Sequence, residues 1–352
     1  MKTDADRTPL HRRLARRAKL RYVTDAEPGI RRARRGRGFV YFNASKRRIR
    51  RRAELGRIEA LRIPPAWSDV WICSSATGHL QATGRDARGR KQFRYHERWD
   101  KIRDQDKFER MLDFARELPR IRRRVTKDLQ HTRLQRETVL ASVVRLLDKT
   151  AARVGNEEYA RENGSYGLTT LRNRHVQVQG KRIELSFPGK SGKQQEIEYC
   201  DRRLAQVVKR TRELPGREVF QYVDEQGEVR DVRSQDVNDY LREITGSNFT
   251  AKDFRTWCAT VLAAEVLAAS DDGVSPSARK RQVVAAIDRV ASELGNTRAV
   301  CRKSYIHPAI IQAYLDERLA DSCRRRSRSS TGPRGLRADE HAVLRMLKKS
   351  RC

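Results

Sequence analysis

The residue types that could do chemistry in this sequence are cations and hydroxyls rather than clustered metal ligands. Gly189-Lys190-Ser191 invites a phosphate-binding loop, but Glu184 stands where that motif needs a glycine, and a strand pattern follows instead of a helix. The sequence has no His-Glu-x-x-His and no Gly-x-Ser-x-Gly segment. It also lacks the clustered carboxylates that two-metal phosphoryl transfer requires. A phosphoryl-transfer site in this chain must therefore use cationic side chains to stabilise its transition state.

The charge of the chain predicts a polyanionic partner. Its 352 residues include 78 Lys and Arg against 45 Asp and Glu, a formal net charge of +33. Cations bound to phosphates release counterions, which favours nucleic acid over an anionic membrane surface, because the basic runs lack an amphipathic pattern. No stretch approaches the length of about 18 apolar residues that spans a membrane. The six cysteines form no Cys-x-x-Cys pair, which predicts reduced thiols in a cytoplasmic compartment.

The pattern of apolar residues predicts an α+β fold of two domains with basic ends. Short alternating runs between turns predict a small β-rich domain over 38–105, and helical spacing after it predicts a mainly α-helical domain over 106–320. Inside the second domain, residues 174–199 alternate again around glycine turns and predict a three-stranded β-hairpin sheet. We expect a flexible basic arm over residues 1–37 and a basic tail over residues 321–352.

Six segments are informative only in combination, because each alone would be an ordinary surface or core sequence. In their order and spacing over both domains, they resemble the type IB DNA topoisomerases of the poxviral and bacterial branch. The segments are Gly84–Tyr95, Arg153-Val154-Gly155-Asn156, Gly167–Val176, Phe187-Pro188-Gly189-Lys190, Lys252-Asp253-Phe254-Arg255-Thr256, and Gly295-Asn296-Thr297 followed by Arg302-Lys303-Ser304-Tyr305.

The resemblance implies roles for a tyrosine and three cations. Tyr305 resembles the nucleophile, which attacks a DNA phosphodiester and forms a 3′-phosphotyrosyl link. Arg153 and Arg255 resemble the two guanidiniums that hold the non-bridging oxygens, and Lys190 resembles the general acid that protonates the departing 5′-hydroxyl. General chemistry agrees, because arginine grips two phosphate oxygens at once and an alkoxide leaves poorly unless it is protonated. A covalent phosphotyrosine keeps the bond energy, so that resealing needs neither ATP nor another cofactor.

Further site residues follow from the same resemblance, with two departures from the pattern of the relatives. Asn296 stands nine residues before Tyr305, where the poxviral relatives have a histidine. Its amide can donate the same hydrogen bond to a phosphate oxygen but adds no charge. Phe93 stands where some relatives have a tyrosine, so that a hydroxyl contact is lost. The expected DNA contacts are Lys252 in the helical domain and Arg85, Lys91, Gln92 and Tyr95 in the β-rich domain.

The resemblance also implies a clamp in which a β-rich N-terminal domain and a mainly helical catalytic domain close around double-stranded DNA. The enzyme would cut one strand, let supercoils relax by rotation and reseal the strand. We expect a cytoplasmic monomer, nucleoid-associated if the source is bacterial, that uses no metal, nucleotide, cofactor or membrane.

Two alternatives stay open. A tyrosine recombinase shares the chemistry, but it usually has a histidine three residues before the second arginine, where this chain has Lys252. A non-catalytic basic DNA-binding protein explains the charge. It gives no reason for Tyr305 and Lys190 to occur in register with two arginines.

In EDTA and without ATP, the wild-type protein should relax supercoiled plasmid DNA. Tyr305→Phe should abolish both relaxation and the covalent protein–DNA adduct while it keeps DNA binding, because only the nucleophilic hydroxyl is lost. Plasmid gels, gels of trapped complexes and a binding assay measure the three properties. Full relaxation by Tyr305→Phe would exclude Tyr305 as the nucleophile.

Overall fold

The structure is a computed structural model that describes residues 4–270, 275–319 and 335–349. The chain divides into two units, Met1–Lys107 and Phe108–Cys352, and the sequence analysis placed this division after residue 105. Within the described ranges, no helix combines the length and the apolar character needed to cross a membrane. The cysteines that the structure describes carry free thiols, and Cys323 and Cys352 lie outside those ranges.

The first unit is built on a five-stranded antiparallel sheet with the strand order β2-β1-β3-β4-β5. Aromatic and β-branched residues favour the strands over Gly38–Phe42 and Ser68–Ile72, whereas the strand over Ile30–Arg35 consists mostly of arginine. β4 and β5 form a hairpin in which Arg85 pairs with Lys91 and Thr83 with Phe93. The predicted β-rich N-terminal region is confirmed. Its elements are α1 (Asp4–Arg17), β1 (Ile30–Arg35), β2 (Gly38–Phe42), α2 (Arg52–Ala60), β3 (Ser68–Ile72), β4 (Leu80–Arg85) and β5 (Lys91–Tyr95).

The prediction of a flexible arm over residues 1–37 is wrong for the part of the arm that the structure describes. α1 contributes Leu14 to a small core that also contains Leu20 and Trp99. β1 is hydrogen-bonded between β2 and β3, and its first residue, Ile30, is buried. The excess of basic residues does not reveal these elements. A few buried apolar side chains suffice to anchor a short helix, and strand pairing uses backbone groups that nearly every residue type has.

The second unit is mainly helical and also contains two small antiparallel sheets. The three-stranded sheet predicted over residues 174–199 is confirmed, with the order β6-β7-β8, and β9 pairs with β10. The helices and strands that follow β5 in the chain are α3 (Glu97–Asp128), α4 (Arg136–Thr150), α5 (Glu157–Asn163), β6 (Val176–Gln179), β7 (Arg182–Pro188), β8 (Gln194–Cys200), α6 (Arg202–Thr211), β9 (Gln221–Val223), β10 (Val229–Asp231), α7 (Ser234–Thr245), α8 (Ala251–Ala268), α9 (Pro276–Glu293), α10 (Arg298–Ser304), α11 (Pro308–Leu315) and α12 (Ala338–Lys349).

The prediction of a basic tail over residues 321–352 is wrong for its helical part, α12. This helix buries Val343, Leu344 and Leu347 in the core of the second unit. Its apolar residues recur at helical spacing between charged residues, which gives the helix one apolar face. Residues 320–334 and 350–352 lie outside the described ranges, and the remainder of the prediction falls there.

Candidate active site

Arg255 lies on α8, a helix whose first turn is capped by Asp253. The backbone N–H of Thr250 donates to Asp253 Oδ2 at 2.7 Å, which satisfies a group at the start of the helix. The Arg255 side chain is only 5% exposed. Its guanidinium donates to the carbonyl oxygen of Ala151 and, at 2.8 Å, to that of Leu294. Backbone groups of two other segments therefore hold this cation in place.

Arg153 follows α4, whose end is marked by Ala151 in the left-handed conformation with φ 51°. The chain next pairs with a neighbouring segment, where the Leu168 N–H donates to the Arg153 carbonyl oxygen at 2.9 Å. The approach is so close that a Cβ on Gly167 would stand 2.5 Å from the backbone nitrogen of Gly155. The segment of Arg153 and the segment of Gly167 therefore pack directly against each other.

The structure brings four predicted catalytic residues together. Arg153 Nη2 donates to Asn296 Oδ1 at 2.7 Å and to the Gly295 carbonyl oxygen at 3.3 Å. Arg255 Cζ lies 5.4 Å from the centre of the Tyr305 ring. The Nδ2 group of Asn296 is buried. Burial raises the pKa of the Cys301 thiol, and an interaction with the Asn296 side-chain amide acts against this rise. That amide is the donor that the sequence analysis assigned to a phosphate oxygen.

The electrostatics of this cluster favour an anion. Burial and the charge of Arg255 lower the pKa of Arg153, whereas the Tyr305 phenol and the Cys301 thiol act in the opposite direction. In the described part of the chain, no carboxylate oxygen lies within 4.0 Å of a nitrogen of either guanidinium. Cations that are buried without a counterion are costly. The arrangement is therefore suited to binding a negatively charged group beside Tyr305.

Tyr305 stands in a tight turn between α10 and α11. Its backbone N–H donates to the Cys301 carbonyl oxygen at 3.0 Å and so ends α10. Thr260 of α8 fixes the turn, because its Oγ1 donates to the Tyr305 carbonyl oxygen and accepts from the His307 N–H, both at 3.1 Å. The helix that carries Arg255 therefore also holds the backbone of Tyr305.

Lys190 lies exposed in the loop between β7 and β8, where the sequence placed it. The Gln195 side chain connects this hairpin with the segment before Asn296. A Cβ on Gly295 would stand 2.8 Å from Gln195 Nε2, and a Cβ on Gly189 would stand 2.7 Å from Gln195 Cγ. Because both glycines lack a side chain, Gln195 can pack closely against them. The hairpin that carries Lys190 therefore contacts the turn that precedes Asn296.

Lys252 is exposed in the first turn of α8. It lies one helical turn before Arg255, which is buried. The same helix therefore presents one cation to solvent and another to the catalytic cluster.

The DNA contacts predicted in the first unit lie on its β4–β5 hairpin. Lys91 Nζ is 2.6 Å from Asp25 Oδ2, and Gln92 Nε2 donates to Asp86 Oδ2 at 2.9 Å. Phe93 is 46% exposed, and its ring is stacked on that of Tyr95 with 6.0 Å between the centroids. The hairpin therefore combines cations with an exposed aromatic surface. The predicted contacts on it are Arg85, Lys91, Gln92 and Tyr95.

Sequence reasoning missed Thr260 and Gln195. Thr260 bonds to Tyr305, which lies 45 positions further along the chain. A threonine in a helix rich in apolar residues carries no sequence signal for such a bond. The sequence signal for Gln195 is indirect. Gly189 and Gly295 both belong to the motifs named above, and in the structure both pack against the Gln195 side chain.

Two family models and several known proteins match this chain. Residues 96–327 match the family described as eukaryotic DNA topoisomerase I, catalytic core, and residues 38–86 match bacterial DNA topoisomerase IB, N-terminal domain. The chain is 34% identical over 295 residues to DNA topoisomerase 1B of Acanthamoeba polyphaga mimivirus, with 81% of this chain and 87% of the relative covered. It is 21% identical over 281 residues to DNA topoisomerase 1B of Vaccinia virus, with 75% and 83% covered.

The two family matches cover most of the helical region and part of the β-rich region, and both describe enzymes that act on DNA. Together with the identity to the mimivirus relative, they show that the chain belongs to the type IB DNA topoisomerases. The resemblance inferred from the sequence is confirmed.

Thr260→Val should slow single-turnover DNA cleavage by about tenfold or more, because the turn that holds Tyr305 loses its hydrogen bonds. The two backbone groups left without a partner should lower the free energy of unfolding by about 1–3 kcal/mol. Rapid-quench assays and urea unfolding measure these effects.

The matched control is Thr211→Val. Thr211 is equally buried, but its hydroxyl donates only to the Val208 carbonyl oxygen of its own helix, at 3.1 Å. Its cleavage rate should equal that of the wild type. A normal cleavage rate in Thr260→Val would show that the hydroxyl does not position Tyr305.

Proposed function

We propose that this type IB topoisomerase relaxes supercoiled double-stranded DNA through a transient 3′-phosphotyrosyl bond at Tyr305. The observation that supports this role most strongly is the pair formed by Arg153 and Arg255. Both guanidiniums are at least partly buried, they lie beside Tyr305, and neither has a carboxylate partner among the described residues. A scissile phosphate would supply the missing negative charge.

In the proposed cleavage step, the Tyr305 phenol loses its proton to solvent as its oxygen attacks phosphorus and the bond to the 5′-oxygen breaks. Arg153 and Arg255 donate hydrogen bonds to the non-bridging oxygens, where negative charge accumulates. Because carbonyl oxygens already hold Arg255 in place, little reorganisation is needed when the charge develops. Fixed cations would thus stabilise the transition state.

Two further residues complete the proposed step. Asn296 is already oriented through its Oδ1 by Arg153, and its buried Nδ2 would donate to a phosphate oxygen. Lys190 would protonate the departing 5′-oxygen, since its exposed loop can follow the DNA backbone and its hairpin contacts the Gly295 turn. The reverse reaction reseals the strand, with the same groups acting in the opposite sense.

We also propose an oligomeric state, an arrangement of the two domains and further contacts with DNA. The enzyme acts as a monomer, and its two domains form a clamp around the duplex. Lys252 contacts the DNA backbone near the cleavage site. The β4–β5 hairpin contributes its cations and the stacked Phe93 and Tyr95 rings to the DNA surface. Rotation of the cut strand between cleavage and resealing would then release supercoils.

Lys190→Ala should slow cleavage of an ordinary DNA strand by about 100-fold or more, as expected for loss of a general acid. The defect should shrink sharply when sulfur replaces the bridging 5′-oxygen, because a thiolate leaves without a proton. Single-turnover cleavage of both substrates measures the difference, with Lys193→Ala in the same loop as the control. An equal defect on both substrates would show that Lys190 is not the acid.

A further inference from the structure

A buried ionic cluster contacts α8, the helix that carries Arg255, and includes a residue from the C-terminal helix. Glu340, in the first turn of α12, is only 1% exposed. Its Oε2 accepts from Arg122 Nη1 and from the Arg337 backbone N–H, both at 2.8 Å. Its Oε1 accepts from Arg122 Nη2 at 2.8 Å and from Trp257 Nε1 at 3.2 Å. All these bonds connect residues of the second unit.

Arg122 of α3 is the centre of this cluster. Its guanidinium grips Glu340 with two nitrogens and also holds Asp148, with Nε 3.0 Å from Oδ2 and Nη2 2.8 Å from Oδ1. Arg122 thus joins α12 to the end of α4 through two bidentate pairs, the geometry that fixes orientation most tightly. Burial alone would raise the pKa of Glu340, but its bonds with Arg122 hold that pKa below the ordinary value.

The cluster meets the catalytic site along two short routes. Asp148 lies three residues before Ala151, the residue whose carbonyl oxygen accepts from Arg255. Trp257 lies two residues after Arg255 on α8, and its ring is buried. Glu340 and Arg122 therefore fix both the helix that carries Arg255 and the helix end that supplies its acceptor.

Stability alone is a weak explanation for such a cluster, because desolvation of buried charges offsets most of their attraction, whereas the direction of the bonds restricts geometry. We propose that Glu340 and Arg122 are positioning residues that set the place of Arg255 at the scissile phosphate. The C-terminal helix would thus serve catalysis without touching DNA. This inference rests on the proposed role of Arg255.

The test compares single-turnover cleavage rates, the fraction of enzyme that forms covalent adduct, and DNA binding in Glu340→Gln and Trp257→Phe. Glu340→Gln keeps the shape but removes the charge, and Trp257→Phe removes one donor and keeps an aromatic ring. Each is made alone and together with Arg255→Ala, because coupled residues give non-additive effects. The control is Glu243→Gln, which removes an exposed partner of Arg136 in the same unit.

We expect Glu340→Gln to lower the rate constant of single-turnover cleavage by about 10- to 100-fold, because small misplacements of a catalytic group have effects of this size. Trp257→Phe should lower it by a smaller factor. Both variants should keep DNA binding and the active fraction. In the Arg255→Ala background, neither substitution should slow cleavage further. Glu243→Gln should match the wild type. If Glu340→Gln does not fold, the same rate and additivity criteria apply to Trp257→Phe.

Three results would overturn the inference: an unchanged rate constant, a loss of active fraction alone, or full additivity with Arg255→Ala. A normal cleavage rate in Arg255→Ala alone would instead contradict the proposed function, so the two failures can be told apart.

Discussion

The site depends on one unfavourable arrangement, two guanidiniums that lie close together beside a tyrosine with no carboxylate near them in the described residues. Burial and mutual repulsion lower the pKa of Arg153. Arg255 is held by the carbonyl oxygens of Ala151 and Leu294 rather than by an anion. Carbonyl groups orient a cation without neutralising it, so that its charge stays available to a phosphate.

Most of the catalytic unit can be understood as the support for this arrangement. The left-handed end of α4 turns the chain into Arg153 and exposes the carbonyl group that Arg255 binds. α8 carries Arg255 and, through Thr260, holds the turn of Tyr305. The Lys190 hairpin contacts the Gly295 turn through Gln195. Segments far apart in sequence are thereby fixed around one point, as differential binding of a transition state requires.

The sequence was informative where chemistry dictates the residue type. Only arginine can grip two phosphate oxygens and remain charged, and only a few side chains can act as the nucleophile, so that motifs were enough to predict roles for Arg153, Arg255 and Tyr305, which lie near one another in the structure. Thr260 and Gln195 could not, because their roles depend on contacts between distant segments. The strand pattern predicted the β-rich region and the three-stranded sheet, since alternation reports directly on a half-buried strand.

The basic ends show where composition misleads. In α1 and α12, a few apolar positions such as Leu14 and Leu347 decide that the segment packs, although basic residues outnumber acidic ones in both helices. Glu340 is one of three acidic residues in the basic stretch 321–352, and its burial against Arg122 could not be inferred before α12 was placed.

The central claim is that the paired guanidiniums stabilise charge on the scissile phosphate. The most direct measurement is single-turnover cleavage of a strand whose scissile phosphodiester is replaced by a neutral methylphosphonate, compared for the wild type and Arg255→Ala. The account predicts a large defect of Arg255→Ala on the phosphodiester and a much smaller one on the neutral linkage, which has lost the charge that Arg255 binds. The same defect on both linkages would contradict it.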